Sequence, residues 1–381
     1  MTRAFLTGNQ AIAEGAIAAG LRVFVGYPIT PASDLFEYLS EKLPEFGGIV
    51  FQAEDEIASI NAIVGATYAG AKAMTATSGP GFSLMLESVG LAAMVEAPIV
   101  VAYLMRTGPS TGIATGTGQG DVMQTRWGSH GHYATVVYAP WSAQEAYDLT
   151  IKAFDVAWRY RVPTIVLGDA VIAHTREPVR LLDPSEVKVH DRKRPREPPG
   201  EFKPFKPDPE DLVPPMAFYG EGYYVFVESL SHDERGYYTT NKEVYARLVR
   251  RLVEKVEKNK ENIVMSRSYL AGDAEILFVA FGSLARVTYA LVKELRSRGV
   301  KVGLWRPQSI WPLDVEGLLK AASSAERVIV VEMNLGQLFL EIDRVLSKLG
   351  KRVELVPVVS PELPTPDELL EIIRTEGVDL G

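Results

Sequence analysis

Over residues 1–180, short apolar runs alternate with longer stretches whose apolar positions recur at helical spacing. The runs Arg22–Gly26, Gly48–Gln52, Ala73–Thr77, Ile99–Met105, Thr135–Tyr138 and Thr164–Leu167 predict strands. Gln10–Ala19, Asp34–Lys42, Ile57–Ala69, Ser83–Val95 and Ala143–Tyr160 predict helices. Strands alternating with helices imply a parallel sheet covered on both faces. From Asp183 to Pro215 the pattern stops. This stretch holds 9 of the 24 prolines and few aliphatic residues, which predicts an extended linker or surface strap. Tyr219–Leu230 then looks β-like, Ser231–Thr240 is polar and loop-like, and Glu243–Asn259 is a charged amphipathic helix. A second α/β pattern starts at Ala274. Its strands are Glu275–Ala280, Lys301–Trp305, Arg327–Val331 and Val353–Pro357, and its helices Ala285–Ser297, Val315–Ser323 and Leu338–Lys348. The expected architecture is α/β with two doubly wound units: a first domain over 1–180, a Pro-rich linker and connecting segment over 181–270, and a smaller α/β domain over 271–381.

Composition narrows the function classes. The chain of 381 residues is 47% hydrophobic and 23% charged, ordinary for a globular protein. No run reaches the length of a membrane span and the N-terminus lacks a signal-peptide pattern, so a cytoplasmic protein is expected. A net charge of −8 argues against a nucleic-acid partner. Cysteine is absent, so no disulfide, thiolate nucleophile or cysteine-ligated iron–sulfur cluster can come from this chain.

In an open α/β sheet, ligands bind beyond the carboxyl ends of the strands. Four polar features fall there. Tyr27-Pro28-Ile29-Thr30-Pro31 follows the first predicted strand; two prolines stiffen it around one hydroxyl, which suits ligand positioning or a plain strand-to-helix turn with Ala32-Ser33-Asp34 as the helix cap. Glu54-Asp55-Glu56 follows the second. Glu54 and Asp55 read as acids complementing a helix dipole, whereas Glu56, beside Ile57 and Ala58, is expected to be desolvated with a raised pKa. Ser78-Gly79-Pro80-Gly81 follows the third and reads as a tight turn that can also cradle a ligand. Arg106 follows the fourth, as a solvated cap, an ion-pair partner or a carboxylate clamp, and a Gly/Thr-rich loop runs on to Asp121. Gly116–Gly120 lacks dinucleotide-loop spacing, no phosphate-loop lysine motif occurs, and His130 and His132 have no third ligand nearby, so a metal site is not expected.

These same residues resemble the α subunits of the 2-oxoacid:ferredoxin oxidoreductases, of the 2-oxoglutarate synthase type. The resemblance lies in Gly8–Ala11, Tyr27–Pro31, Gln52–Ile60, Ala73–Met85, Arg106–Gly112, Gly118–Asp121, Pro140–Leu149 and Leu230–Gly236. It implies a thiamine-diphosphate pyrimidine-binding domain followed by a transketolase C-terminal-like domain. It also implies oxidative decarboxylation of a 2-oxoacid with coenzyme A and ferredoxin. Thiamine diphosphate is then shared with a β subunit that carries the magnesium and an iron–sulfur cluster, and γ and δ subunits can complete the heteromer. By resemblance Glu56 is the catalytic glutamate on the pyrimidine nitrogen. Thr30, Arg106 and Thr115 line the substrate pocket, and Tyr27, Pro28, Ile29, Ser78 and Gly79 touch the cofactor. One departure stands out: where relatives commonly have Leu-Pro-Thr, this chain reads Ile113-Ala114-Thr115-Gly116-Thr117, which predicts a more flexible loop and leaves open a branched-chain or broad substrate preference. A non-catalytic assembly subunit is the reading from another class, and a nucleotide-dependent dehydrogenase is disfavoured by the missing fingerprint.

Overall fold

A computed structural model describes residues 2–380. In chain order the elements are β1 (Thr2–Thr7), α1 (Gly8–Ala18), β2 (Val23–Gly26), α2 (Ser33–Lys42), β3 (Ile49–Gln52), α3 (Glu56–Tyr68), β4 (Ala73–Thr77), α4 (Gly79–Met94), β5 (Val100–Met105), α5 (Gln124–Trp127), β6 (Val136–Tyr138), α6 (Ala143–Tyr160), β7 (Thr164–Asp169), α7 (Ala170–His174) and β8 (Arg176–Leu181). After a long irregular segment come α8 (Lys242–Lys258), β9 (Ser266–Tyr269), β10 (Ile276–Val279), α9 (Gly282–Ser297), β11 (Val302–Pro307), β12 (Ser309–Trp311), α10 (Val315–Ala321), β13 (Arg327–Glu332), α11 (Phe339–Leu346), β14 (Arg352–Pro357) and α12 (Pro366–Thr375).

The first sheet runs β12-β6-β7-β5-β4-β2-β3, parallel throughout except for β12, which pairs antiparallel with β6. The second runs β14-β13-β10-β11-β9, with β9 the antiparallel edge. Central β4, β5 and β7 are buried on both faces, as their unbroken apolar runs require. In the first sheet the chain reverses direction between β2 and β4, and in the second between β10 and β13. Each reversal opens a crevice at the strands' carboxyl ends.

Several expectations needed correction. Tyr219–Leu230 forms no strand; with glycines at positive φ at 220 and 222 it is irregular backbone. α2 has no side-chain cap from Ser33 or Asp34: its N-cap is Ala32, and the Asp34 carboxylate instead accepts from Asn9. The helix after β4 starts at Gly79, not Ser83, because Ser78 takes the cap position and Pro80 fits its first turn. The strand pair β1–β8, strands β9 and β12 and helix α12 had no clear periodic signal in the sequence.

The Pro-rich strap lies against the first domain and is anchored there. Phe202, Phe205 and Val213 are buried, and the Arg161 guanidinium donates to the carbonyls of Pro204 (3.0 Å) and Pro215 (3.0 Å). The two sheets are joined rigidly. Arg306, fully buried at the end of β11, makes two bonds to Glu145 of α6 (2.6 and 2.8 Å) and stacks on Trp141. Among the described residues no helix is long and apolar enough to cross a membrane.

Candidate active site

Three of the sequence-predicted features converge at the reversal between β2 and β4. Tyr27 to Thr30 leave the end of β2, Ser78 and Gly79 leave the end of β4, and Glu56 opens α3, which leads into β4. Tyr27 and Pro28 are exposed, and Ile29 and Thr30 half-buried. Asp55 is the N-cap of α3, its carboxylate accepting from the Ala58 N–H at 2.7 Å. Asp55 thus serves the helix N-terminus, as expected.

Glu56 is 5% exposed, and its carboxyl hydrogen-bonds to no other residue's side chain among the described residues. Burial pushes its pKa above the usual carboxylate value, and the neighbouring Asp55 charge adds to the shift. The carboxyl lies over Gly81. A Cβ built on Gly81 would sit 2.3 Å from Glu56 Oε1 and 2.2 Å from Thr77 Oγ1. Glycine here leaves room for the acid, a role the sequence showed only as part of the turn.

Arg106 follows β5 and is buried. Its Nη1 donates to the Thr30 carbonyl (2.8 Å) and its Nη2 to the Thr111 carbonyl (3.0 Å), while Nε has no partner. It is therefore no solvated cap. It ties the β2 turn to the following loop. That loop is closed on itself by Thr107 N–H to the Gly116 carbonyl (3.1 Å) and Thr107 Oγ1 to the Thr117 carbonyl (2.7 Å). These bonds hold the two ends of the loop together. Thr115 is exposed on it, and the buried hydroxyl without a partner is Thr117, two residues on.

The loop is also gripped from the second domain. Gln119 fills the crevice between β10 and β13: its Nε2 donates to the Phe281 carbonyl (3.0 Å), and Asn334 Nδ2 donates to its carbonyl (2.8 Å). Thr117 N–H reaches the Pro361 carbonyl at 2.8 Å. These contacts fix Asp121, the single carboxylate between Arg106 and Arg126 and a residue that sequence reasoning marked only as the loop's end. Asp121 Oδ2 is buried without a partner, 3.5 Å from where a Cβ on Gly79 would lie, and the Ser78 hydroxyl is likewise buried and unpartnered. No group of three or more His, Asp or Glu side chains able to hold a metal occurs among the described residues.

A buried carboxyl with no side-chain partner thus lies above a glycine at the reversal of a parallel sheet. A family model described as pyruvate flavodoxin/ferredoxin oxidoreductase, thiamine diphosphate-binding, matches residues 14–251, and one for pyruvate:ferredoxin oxidoreductase core domain II matches 274–369. The chain belongs to this family of thiamine diphosphate-binding 2-oxoacid oxidoreductases. Within it, the chain is 48% identical to the 2-oxoglutarate synthase subunit KorA of Methanocaldococcus jannaschii, over 96% of this chain and 97% of that one. It is 37% identical, over its whole length and 99% of the relative, to the ketoisovalerate oxidoreductase subunit VorB of Methanothermobacter thermautotrophicus. A solved 2-oxoglutarate:ferredoxin oxidoreductase from Magnetococcus marinus, with 2-oxoglutarate, coenzyme A and succinyl-CoA bound, superposes with a TM-score of 0.91 at 30% identity. That match covers 98% of this chain, which spans 65% of the Magnetococcus chain.

Proposed function

We propose that the chain is the alpha subunit of a 2-oxoglutarate:ferredoxin oxidoreductase, which converts 2-oxoglutarate and coenzyme A to succinyl-CoA, CO2 and reduced ferredoxin. The observation that carries this reading is the buried Glu56 carboxyl over Gly81, with no side-chain partner. A carboxyl so placed can share a proton with a pyrimidine ring nitrogen. Once bound, thiamine diphosphate supplies the carbon nucleophile for cleaving next to the 2-oxo group. The chain's own part is to hold and orient. Tyr27, Pro28, Ile29, Ser78 and Gly79 wall the cofactor side, the free part of the Arg106 fork faces the substrate carboxylate, and the Thr30 and Thr115 hydroxyls add hydrogen bonds.

The remaining chemistry is assigned to partner chains. With no cysteine here, a β subunit supplies the cysteine-ligated iron–sulfur cluster, and with it the diphosphate end and its magnesium; ferredoxin accepts the electrons. Exposed Tyr27, Phe51, Ile57 and Leu84, on α3 and on the turns and elements beside it, supply apolar surface for that chain to cover. The reading places the complex in the cytoplasm, where a soluble electron carrier meets it, and γ and δ subunits can complete it.

The test is ferredoxin reduction by the complex co-expressed with its β subunit, offered 2-oxoglutarate, pyruvate and 2-oxoisovalerate in turn. Fastest turnover of 2-oxoglutarate supports the reading, and preference for 2-oxoisovalerate selects the branched-chain alternative suggested by the ketoisovalerate relative. Glu56→Gln should lower kcat by about 10²–10⁴-fold, while Glu54→Gln and Asp55→Asn change it little. Equal losses in all three variants would remove Glu56 from its role, and an undiminished Glu56→Gln complex would make this an assembly subunit.

A further inference from the structure

In an open α/β sheet the crevice where the strand order reverses is the place for a ligand. In the second sheet that place, beyond β10 and β13, is taken by a side chain of the first domain. Gln119 is fully buried there, and each of its hydrogen-bonding groups is engaged. Its Nε2 donates to the Phe281 carbonyl after β10 (3.0 Å) and to Asp169 Oδ2 at the end of β7 (3.3 Å). Its Oε1 accepts from the Met333 N–H after β13 (3.4 Å). Its own N–H donates to the Met333 carbonyl (3.2 Å), and its carbonyl accepts from Asn334 Nδ2 (2.8 Å). Asp169 Oδ2 also accepts from the Ser283 N–H at 2.9 Å, so one carboxylate serves both domains. Gly282, at φ +58°, leaves the room: a Cβ there would lie 2.6 Å from Gln119 Nε2 and 2.8 Å from Asp169 Oδ2.

The residue before Gln119 carries this grip to Arg106. A Cβ on Gly118 would lie 3.1 Å from the Arg106 carbonyl oxygen and 3.3 Å from both the Arg106 carbonyl carbon and Thr107 Cα, so the Gly118 main chain rests on that of Arg106. One residue earlier, the Thr117 N–H donates to the Pro361 carbonyl (2.8 Å), and the Thr117 carbonyl accepts from Thr107 Oγ1 (2.7 Å). Arg106 is thus backed along its main chain by a segment that the C-terminal domain holds, while the Thr30 and Thr111 carbonyls hold its guanidinium. Recognition of a carboxylate by an arginine fork depends on the plane and position of the fork. A shift of the main chain beneath it moves both.

We propose that Gln119 is a positioning residue for Arg106. By occupying the crevice of the C-terminal domain it sets Gly118 against the Arg106 main chain, and so sets where the guanidinium meets the carboxylate of a 2-oxoacid. The C-terminal domain then serves substrate recognition through Gln119, with a side chain of this same chain seated where a ligand would otherwise sit. The inference rests on the 2-oxoacid reading above and adds to it a residue and a task for the second domain.

The test is steady-state ferredoxin reduction by the complex co-expressed with its β subunit. Gln119→Leu keeps the crevice filled and removes the side-chain donor and acceptor. Gly282→Ala, from the other domain, drives a methyl against Gln119 Nε2. A contact made equally in the ground and transition states shows in KM and not in kcat, so KM for 2-oxoglutarate and for pyruvate should rise about 10-fold in either variant with kcat little changed. In an Arg106→Lys complex, adding Gln119→Leu should move KM by less than about twofold, because a residue that acts through Arg106 has nothing left to position. Where Gln119→Leu does not assemble, Gly282→Ala takes its place in that cycle. KM within about twofold of wild type in both variants, a loss confined to kcat, or effects that simply add in the double variant overturns the proposal and leaves the functional reading intact. A wild-type complex inert toward every 2-oxoacid offered overturns the two together.

Discussion

Replacing Gly81 by alanine sets two effects of opposite sign against each other. Gly81 is the third residue of α4, where alanine is the better helix former by about 0.5–1 kcal/mol. On that count alone the substitution stabilises. The added methyl, however, would lie 2.3 Å from Glu56 Oε1, whereas ordinary contacts begin at 3.4 Å, so the carboxyl must retreat by about 1.1 Å. The atoms in the way are all side-chain atoms, Glu56 Oε1 and its carboxyl carbon and Thr77 Oγ1, and of these the longer Glu56 side chain is the one that can give, so the site absorbs most of the displacement. A reacting group misplaced by about 1 Å costs on the order of 10²-fold in rate, or about 2.7 kcal/mol of transition-state stabilisation. Gly81→Ala should therefore lower kcat/KM for 2-oxoglutarate about 10²-fold while the melting temperature of the complex barely moves. Ferredoxin-reduction kinetics and a thermal melt on the same preparation measure both. Gly272→Ala, where a Cβ meets nothing within 4 Å, is the control and should leave kcat/KM unchanged. A Gly81→Ala complex that keeps more than about half its kcat/KM would show that the Glu56 carboxyl has no fixed working position, and the reasoning from Gly81 would fail.

Other residues allow equally direct tests. Arg106→Lys cannot reach both the Thr30 and Thr111 carbonyls while presenting a fork to a carboxylate, so kcat/KM should fall about 10-fold or more for every 2-oxoacid; wild-type kinetics would contradict this, and loss confined to 2-oxoglutarate would place Arg106 at the distal carboxylate instead. Glu96→Gln leaves Arg251 and Lys255 buried without the carboxylate that now bonds both at 2.6 Å, and should cost about 3–5 kcal/mol in denaturant unfolding. Those two cations hold the Glu96 carboxyl well below the usual range despite its burial, so its contribution is present above the unfolded pKa and is lost as pH falls through and below it. The wild-type melting temperature should accordingly drop more steeply below about pH 4.5 than that of Glu96→Gln, and parallel curves would sink the claim.

The strands and helices of both sheets were legible because a parallel sheet buried on two faces needs unbroken apolar strands, and its covering helices need one apolar stripe each. The absence of cysteine settled, with no structure at all, that no cysteine-ligated cluster can come from this chain. Glu56 was legible as well, because an acid beside apolar residues at a strand's end loses water when those residues pack, and its pKa rises in consequence. The sequence could not show β12, a three-residue strand that crosses from the second α/β unit to the edge of the first sheet, since so short a run gains its order from the partner strand alone. Nor could it show that the Gly/Thr-rich loop is held by the second domain. Local composition argued for flexibility, and the bonds that pin it come from Gln119, Asn334 and Pro361, the last two more than two hundred residues away in sequence. Asp121 belongs to the same class. As a residue it is one acid among many in a negatively charged chain, and only tertiary packing sets it beside Tyr103 and Gly79, out of water and with Oδ2 unpartnered, because desolvation depends on what surrounds a group rather than on what precedes it.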